Sequence, residues 1–167
     1  MLISLPLNAM LDELGECLLK AVREEDFDII KLLVEKGVDV NYRGSLGQSA
    51  LHFAAEKSDP KFVRYLLESG ADVNARTSGG TTPLHVAQES ELVVVHLLLS
   101  RGAQVNVQDD EGDSPLHIAA QYGRQDHCKL LLDAGALPLR ARDGSTAAAL
   151  AEREGNTFLA GMLRRRV

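Results

Sequence analysis

One unit of sequence recurs along this chain about every 33 residues, and no other feature restricts its fold so strongly. His52 to His85 spans 33 residues and His85 to His117 spans 32. The glycines that end apolar runs keep the same beat: 33 residues from Gly37 to Gly70, 32 to Gly102 and 33 to Gly135. Asn41, Asn74 and Asn106 follow them at the same intervals. Self-similarity at such a period marks a solenoid, whose copies must stack because none buries its apolar face alone. The short interval can be placed. His52 to Gly70 and His117 to Gly135 each take 18 residues, whereas His85 to Gly102 takes 17. The missing residue therefore falls in AQESEL, where a short loop between two helices is expected to absorb it.

Each unit reads the same way physically. A Gly-containing turn (GSLGQ, SGGT, DDEGD) precedes Ser49, Thr82 or Ser114, hydroxyl residues suited to a helix N-cap. Pro83 and Pro115 fall in the first helical turn, where a missing N–H is tolerated. A short helix with small residues on one side follows (Ala54, Ala55, Ala87, Ala119, Ala120). A second helix carries apolar residues at spacings of three and four, such as Phe62, Val63, Leu66 and Leu67. Gly70, Gly102 and Gly135 then stop it, as left-handed caps do.

These units, SALHFAAEKSDPKFVRYLLESGADVN, TPLHVAQESELVVVHLLLSRGAQVN and SPLHIAAQYGRQDHCKLLLDAGA, resemble ankyrin repeats. Residues 18–41 resemble an N-terminal capping repeat without the Thr-Pro-Leu-His box. Residues 143–163 resemble a C-terminal cap, with Thr146 at the hydroxyl position and Ala149 in place of His. The resemblance implies an all-α solenoid of about five stacked helix-turn-helix units joined by β-turn or hairpin loops. As one domain, 1–167, it divides into a cap at about 11–43, repeats at 44–76, 77–108 and 109–140, and a cap at 141–167. It also implies that His52, His85 and His117 tie neighbouring units together. Zinc needs its ligands near 2 Å from one ion, and stacked helices stand about 10 Å apart, so a row of such histidines is structural.

Function classes narrow with the charge. The chain carries a formal net charge of −6, which opposes nucleic-acid binding, where clustered Lys and Arg displace counterions. With 45% hydrophobic but only 4% aromatic residues, the composition suits many small interfaces. The N-terminal MLISLPLNAML is a poor signal peptide, and no run reaches the roughly 18 apolar residues of a membrane span. Cys17 and Cys128 match no ligand spacing and read as buried small hydrophobes in a reducing compartment. Arg164-Arg165-Arg166 reads as helix-end charge, with a contact site as the alternative. The run Asp126-His127-Cys128 holds acid, base and nucleophile types, but adjacent helical residues do not face one another. His96 also stands off the repeat's motif. No phosphate-binding glycine pattern is present. The expectation is a non-enzymatic, intracellular (cytoplasmic or nuclear) monomer with no cofactor or metal, binding a protein partner. A regulatory inhibitor of one enzyme and a pathogen effector acting on host proteins are the alternatives.

The resemblance places the partner on the concave face formed by turn tips and first helices. The candidates are Ser45, Leu46, Gln48, Glu56 and Lys57; then Arg76, Ser78, Thr81 and Glu89; then Asp110, Glu111, Asp113, Gln121 and Tyr122. Tyr122 reads either as an interaction hot spot or as a ring lying on its own helix. The acidic turn from Asp109 to Asp113 reads as a solvated bend or as a finger that selects a basic segment; an EF-hand's calcium-ligand spacing is absent. Asn41 and Asn74, each with Leu eight positions upstream, resemble ankyrin asparagines that are hydroxylated in animal cells. Asn106, with Gln104 where the others have Asp, matches less well.

Overall fold

A computed structural model describes residues 7–165. The N-terminal stretch read as a poor signal peptide lies partly, and Arg166 wholly, outside the described residues. Helices come in pairs: α1 (Leu7–Arg23) with α2 (Phe27–Glu35), α3 (Ala50–Lys57) with α4 (Pro60–Glu68), and α5 (Pro83–Val86) with α6 (Leu92–Ser100). The last two are α7 (Pro115–Gln121) with α8 (Gln125–Asp133), and α9 (Ala147–Arg153) with α10 (Thr157–Arg165). Among the described residues there are ten α-helices and no strand. First helices stack on first helices and second on second, as α1 on α3, α7 on α9, and α4 on α6. The all-α solenoid expected from the sequence is thus the fold.

Small residues make the stacking possible. Ala54, Ala55, Ala87, Ala119 and Ala120 are all fully buried, so first helices meet at backbone range. Leu66, Leu98 and Leu131 fill the space between second helices. At the N-terminal end the rings of Phe27 and Phe62 stack at 5.7 Å, joining α2 to α4. Caps follow the sequence: Asp26 accepts from the Ile29 N–H, and Asp59 from that of Lys61, next to Pro60 in the first turn.

Four finger-like turns project between the pairs, and all close alike. The residue before the tip donates to a carbonyl four positions on, as Gly44 to Gln48, Thr77 to Thr81, Asp109 to Asp113 and Ala141 to Ser145. Each turn contains a glycine at positive φ, and Gly112 shows why no other residue serves. A Cβ there would stand 2.6 Å from the Arg142 backbone nitrogen in the next finger.

Three sequence expectations need correction. The first helix is long: α1 begins before residue 11 and spans 17 residues. Cys17 is exposed on it, where no other described helix covers that side, whereas Cys128 is buried as expected. The missing residue of the third unit is not taken from the loop alone. Its first helix has only four α-helical residues and tightens into a 3₁₀ turn at Ala87–Glu89; 3₁₀ turns climb further per residue and so span the gap with fewer residues.

Candidate functional site: the finger turns and first helices

Four ladders of side-chain bonds run along the stack and hold the fingers in place. The box histidines form one. In each, Nδ1 accepts the backbone N–H of the capping hydroxyl residue: 3.1 Å from Ser49 to His52, 3.1 Å from Thr82 to His85, 3.2 Å from Ser114 to His117. Nδ1 is therefore unprotonated and Nε2 carries the hydrogen. His52 Nε2 donates to the Thr81 carbonyl and His85 Nε2 to that of Asp113, both at 3.1 Å. Burial, ahead of any neighbouring charge, holds both imidazoles below the usual histidine range. His117 breaks the series. It is 1% exposed, and its Nε2 has no hydrogen-bond partner.

The asparagines form the second ladder, with both amide atoms used. Asn41 donates to the Gly70 carbonyl and accepts from the Asp72 N–H; Asn74 does so with Gly102 and Gln104, and Asn106 with Gly135 and Leu137. A third ladder escaped the sequence reading. Arg43 donates to the Arg76 carbonyl, Arg76 to that of Gln108 and Gln108 to that of Arg140. Its signal was the period itself, because 43, 76, 108 and 140 keep the repeat's register. The fourth is backbone to backbone, from Ser78 to Leu46, Asp110 to Gly79 and Arg142 to Glu111.

None of the sequence-predicted site residues is buried, but the structure gathers them into separate groups. Leu46, Gln48, Glu56, Ser78 and Thr81 line one cleft of about 280 Å³ between the first two fingers. Leu46 is 63% exposed. Glu111, Asp113 and Gln121 line a second cleft, of about 240 Å³, between the last two fingers. Sequence reasoning missed Phe53 and Val86 in the first, and Asp143, Leu150 and Arg153 in the second. Phe53, Val86 and Leu150 follow the box histidine position in their units, so the repeat register again held the clue.

The remaining candidates are engaged elsewhere or stand alone. Lys57 reaches back to Glu25 at 3.5 Å, and Arg76 belongs to the third ladder. Ser45 and Asp110 are exposed and line neither cleft. Tyr122, 51% exposed, neither lies idle on its helix nor stands free. A hydrogen bond to Glu89 raises its phenol above the usual range. Nearby, Arg124 donates to the Glu89 carbonyl at 3.1 Å, and buried His127 donates to that of Ser90 at 3.1 Å. Repeat four thus holds the shortened connection of repeat three in place.

Cys128 is buried and its thiol is pushed up to about 12 by desolvation, so Asp126-His127-Cys128 has no thiolate nucleophile at neutral pH. Among the described residues no group of three or more His, Cys, Asp and Glu could hold a metal ion. Nor is any helix among them long and apolar enough to cross a membrane. At the C-terminus Arg164 pairs with Glu152, and Arg165 donates to the Gly161 carbonyl.

Stacked helix pairs, projecting turns and box histidines bonded across the two central joints define a helical repeat solenoid. A family model for ankyrin repeats matches three times, over residues 18–109, 77–140 and 92–164. The chain belongs to the ankyrin-repeat family. No curated protein matches it significantly.

Proposed function

We propose that this protein is a non-enzymatic binding module that holds a partner protein on the concave side made by its finger turns and first helices. Ankyrin repeats generally mediate protein–protein interaction; the finer assignment rests on the way exposed candidates line two clefts between rigidly laddered fingers. Such ladders present the clefts without an ordering cost on binding. The third finger, Asp109 to Asp113, is acidic, which favours a partner with a basic segment and gives it faster association at low salt. The setting proposed is intracellular. Inhibition of one enzyme would use the same surface and differ only in changing that enzyme's activity; so would action on a host protein.

The test is capture of a purified partner by the full chain and by surface variants. Tyr122→Ala and the paired reversal Asp110→Lys with Glu111→Lys should weaken capture about tenfold or more while leaving the fold intact, since these side chains are exposed. Arg64→Glu on α4, among the second helices, should leave it unchanged. Loss with Arg64→Glu alone would move the site to the outer helices.

A further inference from the structure

Resting on that reading, we infer that the segment held is an extended peptide, with one apolar side chain in the first cleft and a Lys or Arg about two units further along, in the second. The two clefts are the same place in the solenoid, two repeats apart. By register, Leu46 corresponds to Glu111, Gln48 to Asp113, Glu56 to Gln121, Thr81 to Ser145 and Val86 to Leu150. What differs is the chemistry of the lining.

In the first cleft Leu46, Phe53 and Val86 supply apolar surface, with Gln48, Ser78 and Thr81 for polar contacts to a passing backbone. Among the described residues Leu46 is left 63% exposed, one of the largest exposures of any apolar side chain there. An exposed apolar group beside an apolar recess is what an aliphatic or aromatic side chain fills. In the second cleft Glu111, Asp113 and Asp143 bring three carboxylates together, with Arg153 the lone base, itself paired to Glu154 at 3.6 Å. Of the other bases on these faces, Arg76 is committed to the Gln108 carbonyl, Arg124 to that of Glu89, Arg140 to that of Gly144 and Lys57 to Glu25, while Arg142 of the last finger stands exposed next to Asp143. Crowding shows in Asp113, whose carboxyl is held above the usual range chiefly by burial, with His117 opposing and Asp109, Asp143 and Glu111 adding to the rise. The acids do not converge as a metal site; spread along a cleft, they match an ammonium or guanidinium on a long stem.

The spacing sets a register for the occupant. Packed helices repeat about every 10 Å, so two units span about 20 Å. An extended chain rises about 3.3 Å per residue. The apolar and basic residues of the peptide should therefore lie about six positions apart, in whichever chain direction it runs.

A displayed library of random 12-residue peptides, selected on the full chain, tests this directly. The expected survivors share an apolar residue and an Arg or Lys five to seven positions apart. Against a selected peptide, Leu46→Asp should weaken binding at least tenfold. Glu111→Lys should weaken it similarly and be rescued when the peptide's Arg becomes Glu. A helical control, far-ultraviolet circular dichroism, confirms that each variant is folded. Survivors without that register, no survivors at all, or no charge-swap rescue would each overturn the inference. The proposed function fails separately, when a purified partner ignores every concave substitution but is lost with Arg64→Glu.

Discussion

At the residue scale the box histidines decide how tightly each unit is tied to the next. His52 and His85 each spend Nε2 on the following finger, whereas the Nε2 hydrogen of His117 is buried and unmatched. A buried partner lost costs about 1–3 kcal/mol, while a donor already unmatched gives nothing across the joint when removed. His85→Ala should therefore destabilise the protein by about 1–3 kcal/mol in urea unfolding, and His117→Ala by less. Equal losses would mean that the interior bond, to the capping hydroxyl residue, carries the whole effect. The same histidines set a pH dependence. His52, His85 and His127 titrate below the usual value in the folded protein, through desolvation, so the unfolded chain binds protons first. Their contribution is complete above about pH 6.5 and is lost as pH falls from there through the folded values. The raised carboxyl of Asp113 acts oppositely and lower in pH, the folded chain taking up its proton before the unfolded chain does. Urea midpoints measured from pH 7.5 to 5 should fall; a flat profile would contradict the buried, neutral assignment. The histidine roles were legible from a box repeated three times. The orphan was not, because it depends on where the last finger sits and not on any residue type in the box.

At the element scale the shortened third unit shows how a repeat survives losing a residue. Counting from histidine to glycine located the loss, but a count cannot say whether a loop shortens or a helix tightens. Here α5 becomes a 3₁₀ turn after four residues, and side chains from the neighbouring repeat restore what the tightening frees. His127 satisfies the Ser90 carbonyl and Arg124 that of Glu89, although nothing in the local sequence of α8 advertised either bond. Gln88, fully buried where the second and fourth units have Ala55 and Ala120, donates to the Leu84 carbonyl while its own oxygen goes unmatched. The position is a compromise. His127→Ala should cost about 1–3 kcal/mol, and its effect should appear first as faster amide exchange in α5, the 3₁₀ turn and the start of α6. Unchanged exchange there, with faster exchange confined to α8, would show that His127 serves only its own helix.

For the whole molecule, stability in a solenoid is close to a sum over units and the joints between neighbours, so the order of opening follows from the joints. The three internal first helices and their fingers are crossed by all four ladders, but the joint between the fourth and fifth units lacks the histidine bond. The close finger contact is kept there, since a Cβ at Gly112 would stand 2.6 Å from the Arg142 backbone nitrogen. What holds α9 and α10 is the burial of Ala147, Ala151, Leu159 and Leu163 together with the finger bonds from Arg142 to Glu111 and from Gln108 to Arg140. The sequence disclosed that the last unit departs from the pattern, through Ala149 in place of histidine, but not which bonds the departure would leave unmade. Native-state hydrogen exchange should find α9 and α10 opening at lower free energy than α3, α4, α7 and α8, as one cooperative step. Replacing Ala149 with His would not repair the joint, since Ala149 is exposed and that histidine would face away from the fourth unit. Bringing a hydrogen-bond acceptor within reach of His117 Nε2 would. Protection in α9 and α10 equal to that of the central helices would show that apolar burial alone sets the stability of the last joint and that the missing bond carries no weight there.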